Sequence, residues 1–208
     1  MNNTEYNAYT YLSPPRAESA VMAASLRFYE TRGWLAQVKK NGTNSVIFVP
    51  PVGKPFAKTR HEKDPEHKLW AFTDDSIKVF EAARTKGWSV FNAELLHSKG
   101  NGIYDTNYIH DVLVYDGQYL LGKSYIERYQ LLQKIFKVRK KTQSQSHYII
   151  DNNTWLAKNH AIGFKVLFNR LTNEDEGLVL KNPNGILSIR NNAEWTVKCR
   201  LPHKNFGF

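Results

Sequence analysis

The sequence predicts an α+β domain in which antiparallel sheets are flanked by helices, and three kinds of observation predict it. Short apolar runs bounded by turn residues indicate strands. Several of these runs are separated by only a few residues, which favours antiparallel hairpins. Other segments carry apolar residues at helical spacing. The chain has 208 residues, of which 41% are hydrophobic, so it is long enough to bury one core. We expect an N-terminal arm at residues 1–15 and one domain at residues 16–208.

The helices are predicted from apolar residues that recur every three to four positions. Val21, Ala24 and Phe28 predict a first helix over residues 16–32, and Gly33 is a suitable stop. A second helix is expected to begin at Asp74-Asp75, since aspartates favour a helix N-terminus, and to close at Gly87. The same spacing predicts two more helices, over residues 124–138 and 161–171.

The apolar runs predict strands on both sides of these helices. Asn41-Gly42 separates the first two runs, and this dipeptide favours the tight turn of a hairpin. Residues 50–68 contain four prolines and therefore predict a loop or an irregular hairpin. We find no internal repeat and no second domain. The predicted strands cover residues 34–38, 45–49, 88–96, 108–115, 178–180 and 195–197.

The charge of the chain favours a polyanionic partner. The 29 Lys and Arg exceed the 19 Asp and Glu by ten, and binding to phosphates would release condensed counterions. A single cysteine, Cys199, excludes an internal disulfide framework and a zinc cluster built on several thiolates. No apolar run approaches the roughly 20 residues that span a bilayer, and the N-terminus lacks the pattern of a signal peptide. We expect no membrane partner and a cytoplasmic location, including the host cytoplasm if the chain is encoded by a compact viral genome.

Four short segments place a lysine or a glutamate on or beside an apolar strand. Because side chains alternate along a strand, we expect the even-numbered residues from Glu176 to Leu180 on one face and the odd-numbered residues from Gly177 to Lys181 on the other. In a curved sheet such positions can line a cleft. The four segments are residues 39–44, 91–96, 176–181 and 195–200.

The residue types in these segments suit nucleotidyl transfer. A lysine that is partly desolvated and close to other cations can lose its proton and act as a nucleophile. Further lysines and a divalent metal ion would neutralise the phosphates under attack, and carboxylates would hold the metal or the ribose hydroxyls. Each segment taken alone is more simply explained as a solvated strand-end charge or a surface ion pair. Only the set of four, in order, favours the chemical interpretation.

In order, the segments resemble the motifs of the covalent nucleotidyltransferase superfamily, which contains ATP-dependent DNA ligases, RNA ligases and mRNA capping enzymes. Lys39-Lys40-Asn41-Gly42 is similar to the first motif, Lys-x-Asp-Gly, with Asn in place of Asp. Glu94 lies in a segment similar to the third motif, and residues 176–181 are similar to the fourth. Residues 112–117 look like the segment between these two, and Lys198-x-Arg200 resembles the final Lys-x-Lys. The resemblance implies an ATP-grasp-like ligase nucleotidyltransferase fold.

The resemblance also implies a role for each matching residue. Lys39 would form a phosphoramidate with a nucleoside monophosphate, and Tyr115, directly before Asp116, would stack on the base. Glu94 and Glu176 would hold the metal ion and the ribose. Arg60 is a candidate contact to phosphate or ribose, with a solvated loop charge as the alternative. The other implied nucleotide-binding residues are Gln37, Val38, Asn44, Lys181 and Lys198.

Departures from the family pattern bear on the substrate and on the domain organisation. Gln37 replaces a glutamate common in DNA ligases, so an amide would meet the adenine amino group. Asn44 stands where DNA ligases and capping enzymes usually have arginine, and this pattern is similar to that of RNA-repair ligases, whereas the later motifs are similar to those of DNA ligases. Only eight residues follow Arg200, so we expect no OB-fold domain.

The resemblance therefore implies a ligase that uses ATP and Mg²⁺ to seal 5′-phosphate/3′-hydroxyl breaks in a nicked duplex, with DNA slightly favoured over RNA. A nick-sealing RNA ligase of the repair type is one alternative, and a non-catalytic nucleic-acid-binding module that retains the fold is another. A capping enzyme that uses GTP is disfavoured by Asn44. The nucleic acid would be held by the surface of the domain, with residues 137–141 and the Tyr-rich arm as candidate contacts, or with the help of an accessory clamp protein.

Overall fold

A computed structural model of the chain describes residues 12, 14–17, 19–59, 72–96, 103–138, 144–189 and 194–202. Within these ranges a turn of 3₁₀ helix at Ala23–Ser25 leads into the first of four α-helices: α1 (Leu26–Thr31), α2 (Asp74–Ala82), α3 (Tyr125–Ile135) and α4 (Phe164–Asn169). The strands described are β1 (Leu35–Lys40), β2 (Thr43–Val49), β3 (Phe56–Thr59), β4 (Ser89–Leu96), β5 (Thr106–Tyr115), β6 (Gln118–Tyr119), β7 (His147–Asp151), β8 (Thr154–Ala157), β9 (Asp175–Lys181) and β10 (Thr196–Arg200).

The strands form two sheets, which confirms the predicted α+β class. A three-stranded antiparallel sheet has the order β1-β9-β10. A seven-stranded sheet has the order β3-β2-β4-β5-β8-β7, with β6 paired to the end of β5. One pair in the larger sheet, β5 and β8, is parallel, so the expectation of purely antiparallel sheets was wrong at this point. The chain passes through α3 between these two strands, and such a crossover allows a parallel return.

Each sheet is covered on one face by helices. The small sheet packs its apolar face on α1 and α4, in a cluster that includes Leu26, Phe164 and Phe168. The large sheet packs its back face on α2 and α3, in a cluster that includes Phe80, Phe91 and Leu132. The helix ends are well defined, since the Ser124 side chain and Glu127 form a reciprocal capping box at the start of α3. The helices therefore leave the other face of the small sheet available for a site, together with the part of the front face of the large sheet that lies outside the apolar cluster of Val46, Phe48 and Leu113.

Some elements differ from the sequence prediction. The predicted helix over residues 16–32 is helical only from Ala23, because Ala20 instead pairs with Lys198 of β10. In the described part of the 50–68 segment, residues 50–59, the irregular hairpin is observed, since β3 pairs with β2, and residues 60–68 lie outside the described residues. Strands β7 and β8 were not predicted. Their polar residues interrupt the apolar pattern, and pairing with β5 supplies the order that the local sequence does not.

In the described residues the strands belong to these two sheets, with no separate OB-fold barrel among them. No helix found there has both the length and the apolar character needed to span a bilayer. Residues 1–11 of the predicted arm lie outside the described residues, and the boundary at residue 15 stays a prediction.

Candidate active site

A cavity of about 460 Å³ lies between the two sheets. The small sheet contributes side chains from all three of its strands, and the large sheet contributes side chains from β2, β4 and β5. Predicted site residues from both sheets therefore share one cavity. Those that line it are Gln37, Val38, Lys39, Asn44, Glu94, Glu176, Lys181 and Lys198.

The register of the small sheet explains why its polar residues meet in this cavity. Val179 in β9 lies opposite Gln37 in β1 and Lys198 in β10. Residues opposite each other in an antiparallel sheet share a face, so every second residue of the three strands points the same way. Lys181 and Thr196 form the next pair along this face. The intervening residues form the core against α1 and α4: Ala36, Val38, Leu178, Leu180, Val197 and Cys199.

Glu176 does not obey the predicted alternation. It was expected on the face of Leu178 and Leu180, but it lines the cavity. The cause is a register shift between Lys39 and Lys40, where β1 skips from Gly177 to Asp175 of β9. A β-bulge of this kind turns one extra side chain toward the other face. The bulge therefore brings Glu176 to the cavity side of the sheet, next to Lys39.

The bulge is held by two adjacent ion pairs. The Lys39 amine donates a hydrogen bond to the Glu176 carboxylate at the cavity wall. Directly behind it, the buried Lys40 amine donates to Asp175 over 2.7 Å, and Asp175 also accepts from the backbone and hydroxyl of Thr172. Lys40 and Asp175 are both more than nine-tenths buried, so their pairing offsets a large desolvation cost. The amine of Lys39 is thus fixed beside a carboxylate.

Two glycines are required at the points of closest backbone approach. Gly177 has a φ of 143°, and a Cβ there would overlap the carbonyl oxygen of Cys199 in β10. A Cβ on Gly42, in the turn between β1 and β2, would overlap the carbonyl oxygen of Leu95 in β4. Any side chain at either position would push apart strands that carry site residues.

The large sheet supplies the opposite wall. Asn44 of β2 lies opposite Glu94 of β4, and its amide nitrogen donates to the Asn92 side chain over 2.8 Å. Glu94 in turn lies opposite Tyr108 of β5. The hydroxyl of Tyr108 donates to the Val38 carbonyl of the small sheet at 3.0 Å and therefore ties the two walls together.

Tyr115 is not part of this wall. It is half-buried at the end of β5, packed against the core between the large sheet and its helices, and it does not line the cavity. The aromatic ring that precedes an aspartate and does line the cavity is His110, followed by Asp111. The structure therefore places His110, and not Tyr115, in the cavity wall. Arg60 lies outside the described residues.

A buried ion pair fixes His110 from behind. Arg128 of α3, 1% exposed, donates two hydrogen bonds to Asp111 at 2.9 and 3.0 Å. Burial alone would raise the pKa of Asp111, but the Arg128 guanidinium holds it below its usual value. Loss of hydration and the nearby Lys181 charge lower the pKa of His110 to about 3. The imidazole is therefore neutral near pH 7 and offers an uncharged ring to the cavity.

Lys181 is a buried cation of the site, and its pKa is strongly lowered. Its amine donates to the His110 carbonyl at 3.2 Å and lies 4.4 Å from the centre of the Tyr125 ring. Burial lowers its pKa to about 8, against the attraction of Asp111. A lysine kept in so poorly hydrated a place is costly unless an anion joins it.

Several polar atoms in the cavity wall are buried without a hydrogen-bond partner among the described residues. They are Nε2 of Gln37, Oδ1 of Asn44 and Oγ1 of Thr196. Leaving such atoms unpaired costs roughly 1–3 kcal/mol each, so they mark a place where a polar ligand would be expected. Their donor and acceptor groups suit a base or a sugar.

The charges of the wall suit a phosphate chain. Six cationic and three acidic side chains line the cavity: Arg16, Lys39, Lys40, Lys181, Lys198 and Arg200, against Glu94, Asp111 and Glu176. Within the described residues no cluster of three or more potential metal ligands occurs. Mg²⁺ commonly binds one or two carboxylates together with substrate phosphates and water, so Glu94 and Glu176 suit such an ion without a preformed cage.

Comparison with known proteins shows which family and which fold the chain is similar to. Residues 97–198 match the family model described as the ATP dependent DNA ligase domain. The ligase domain of LigD from M. tuberculosis superposes with a TM-score of 0.62 over 92% of this chain and 61% of that chain, at 16% identity. Residues 97–198 are therefore similar in sequence to ATP-dependent DNA ligase domains, and the described fold is that of ligase nucleotidyltransferase domains. The resemblance seen in the motifs is thereby confirmed, as is the nucleotidyltransferase fold.

Two further structures have this nucleotidyltransferase fold. Mycobacterial DNA ligase D, complexed with ATP and MES, gives a TM-score of 0.57 at 15% identity, over 92% of this chain and 62% of that chain. Chlorella virus DNA ligase-adenylate gives 0.51 at 14% identity, over 92% and 68%. The chain spans about three fifths of the length of the two mycobacterial structures. No curated protein matches it in sequence.

Sequence reasoning missed several residues of the site. His110 and Asp111 sit in the middle of an otherwise apolar strand, and a charged residue there needs a buried partner, which Arg128 provides. The interruption of the apolar strand by these two residues could therefore have predicted a buried polar site. Trp195, which lines the cavity and stacks on Tyr125 at 5.8 Å between ring centres, gave no comparable signal because aromatic residues are common in cores.

Proposed function

We propose that this domain catalyses the adenylation and strand-joining steps of an ATP-dependent polynucleotide ligase. The observation that carries the proposal is the position of the Lys39 amine, held by Glu176 in a cavity whose wall also carries Glu94, Lys181 and Lys198. Isolated surface lysines do not converge in this way. The unpartnered atoms of the wall add support, because a nucleotide would satisfy them.

In the first step, Lys39 attacks the α-phosphorus of ATP. A bond forms between Nζ and phosphorus, the bond to the bridging oxygen breaks, and pyrophosphate leaves with the electron pair. The proton lost from Nζ leaves to solvent, and the Glu176 carboxylate, which accepts a hydrogen bond from Nζ, orients the amine. Lys181 and Lys198 offset the negative charge that the phosphates carry during this displacement.

The next two steps pass the nucleotide to the nucleic acid and remove it. An oxygen of the 5′-phosphate attacks the α-phosphorus, the N–P bond breaks, and Lys39 recovers its proton. The 3′-hydroxyl oxygen then attacks the activated 5′-phosphorus and gives up its proton to solvent, while the bridging P–O bond breaks and AMP leaves with the electron pair. Glu94 and Glu176 would hold Mg²⁺ against the phosphates, and the ion would supply further charge neutralisation. The neutral ring of His110 and the amide of Gln37 would orient the base.

DNA is the proposed strand, with RNA as the second candidate. The match to the ATP dependent DNA ligase domain supports DNA. Asn44, which lines the cavity and bonds to Asn92, is the feature that favours a nick-sealing RNA ligase. A duplex would be held by the surface of this domain or by an accessory clamp protein.

Label transfer from ATP tests the role of Lys39. The protein is incubated with Mg²⁺ and either α-labelled ATP or α-labelled GTP, then separated on a denaturing gel. We expect a labelled band with ATP only, and its complete loss in Lys39→Ala. Lys78→Ala, which removes an exposed amine on α2, is the matched control and should keep the full yield. An undiminished adduct in Lys39→Ala would falsify the assignment.

Sealing of matched nicked duplexes separates the candidate functions. We expect the nick in DNA to be joined faster than the same nick in RNA, and the reverse order would favour the RNA ligase. A protein that binds either duplex in a salt-sensitive way, but takes no label from ATP, would be a non-catalytic module.

A further inference from the structure

The residues that precede α1 form a strap across one side of the cavity. We define the strap by its described residues, 12, 14–17 and 19–21. At one end Leu12, 3% exposed, packs in a cluster with Val46 and Phe48 on the front face of the large sheet. At the other end the strap pairs with the edge of the small sheet through Ala20. The strap therefore connects the two sheets.

The attachment to the small sheet is a short parallel ladder. The backbone nitrogen of Lys198 donates to the Ser19 carbonyl at 3.0 Å, and the nitrogen of Val21 donates to the Lys198 carbonyl at 2.9 Å. Lys198 is itself a residue of the cavity wall. The strap is thus fastened to the backbone of a site residue, not to a distant part of the domain.

Between its two anchors the strap lines the cavity through Pro15, Arg16 and Ala17. Leu12 and Ser19 are seven positions apart, so the chain between them reaches at most roughly 25 Å when fully extended. While both anchors hold, this stretch cannot move far from the cavity. Arg16 is exposed and contributes to the lining of the cavity that contains Lys39.

Arginine suits a phosphate ligand better than any other side chain does. Its planar guanidinium donates two parallel hydrogen bonds to phosphate oxygens and stays charged at all relevant pH values. Arg16 joins Lys181, Lys198 and Arg200 on a wall where cations outnumber acids. Arg16 lines the same cavity as Gln37 and Lys39, so the phosphates of a nucleotide bound there are its candidate ligand.

We infer that Arg16 binds the phosphate chain of the nucleoside triphosphate, and that the strap is a part of the nucleotide site. The identity of the ligand rests on the proposed function. The nucleotide would then contact three separate parts of the chain: the small sheet, the large sheet and the strap that joins them.

Binding of ATP and of adenosine tests this inference. Both ligands are titrated by calorimetry into the full chain carrying Lys39→Ala, which prevents turnover, with and without Arg16→Ala. We expect Arg16→Ala to weaken ATP binding at least about tenfold, the loss typical of one hydrogen bond to a charged group, and to leave adenosine binding unchanged. Arg27→Ala, an exposed arginine of α1, is the matched control and should change neither.

Three results would overturn the inference. Equal ATP affinity in the Arg16 and Arg27 variants would remove Arg16 from the site. A parallel fall in adenosine affinity would make its role structural. Weaker binding of a nicked duplex with unchanged ATP affinity would assign Arg16 to the polynucleotide strand instead.

The same samples distinguish this inference from the proposed function. If ATP binding depends on Arg16 but the native chain takes no label from ATP, the ligase proposal fails and the assignment of Arg16 stands. If label transfer is normal and Arg16→Ala leaves the KM for ATP unchanged, only the assignment of Arg16 fails. For the native chain with Arg16→Ala, we expect a raised KM for ATP and normal sealing of a nick that already carries AMP.

Discussion

The two faces of the small sheet have opposite properties although they belong to the same three strands. One face carries Leu178 and Leu180, both 0% exposed, and packs against two helices. The other face, one residue out of step, carries Lys181 with a pKa lowered by burial and Gln37 with an unpartnered amide nitrogen. Apolar burial stabilises the first face, whereas the polar groups of the second are costly in the absence of a ligand.

This difference separates stability from function within single strands. Adjacent residues should respond to substitution in different measurements, since one face contributes to folding and the other to binding. Neighbouring positions of the small sheet allow this contrast to be measured.

The largest expected effect is at Leu178. Leu178→Ala should lower the free energy of unfolding by about 2–5 kcal/mol, because it leaves a cavity in a packed core. Val179→Ala, the next residue on the cavity face, is only half-buried and should cost about 1 kcal/mol or less while raising the KM for ATP. Urea unfolding followed by circular dichroism measures both. Equal losses of stability at the two positions would remove the contrast between the faces.

A smaller effect on the free energy of unfolding, of the opposite sign, is expected at Lys181. Its pKa in the folded protein is about 8, below the ordinary value of 10.5, so the unfolded chain binds more protons between these two values. This lysine therefore makes stability rise with pH from about 8 to about 10.5, and its full penalty is present below pH 8. Lys181→Met should raise the free energy of unfolding at pH 7 by roughly 1–3 kcal/mol and reduce label transfer from ATP.

The pH dependence is the control for that prediction. The stability difference between Lys181→Met and the native chain should be constant below pH 8 and should shrink toward pH 10. A difference that does not change over this range would mean that the penalty does not come from the charge of Lys181.

The smallest effect is expected at Gln37. Gln37→Met keeps the length of the side chain and removes the unpartnered donor, so stability should stay the same or rise by up to about 1 kcal/mol. Calorimetric titration should nevertheless show weaker binding of ATP, because the proposed amide contact to the base is lost. A clear loss of stability would show that Gln37 has a structural role.

The alternation of side chains made much of the small sheet predictable. Val179 and Lys181 were expected on the face opposite Leu178 and Leu180, and this is where they lie. Glu176 was misplaced because its position depends on a bulge set by Lys40 and Asp175, which are far apart in sequence. No pattern in the local sequence predicts an ion pair between residues so far apart along the chain.

The same limit explains the other differences. The segment before α1 has helical spacing, but pairing of Ala20 with β10 overrides that local preference. Tyr115 was chosen because it precedes Asp116, although His110 precedes Asp111 five residues earlier. What distinguishes the two positions is the distant Arg128, which reaches Asp111 from α3. The order of the apolar runs and motifs along the chain was enough to predict the fold. Contacts between residues far apart in sequence determined which candidate residue lines the cavity.

The turn at Gly42 is also the place where the chain leaves the small sheet for the large one. Lys39 lies just before this crossing, and Glu94 lies beside the spot where Gly42 abuts β4. The short turn thus holds Lys39, the proposed nucleophile, and Glu94, the proposed metal ligand, near the one crossing. A residue inserted into the turn would therefore change the spacing of these two side chains without touching the apolar core of either sheet.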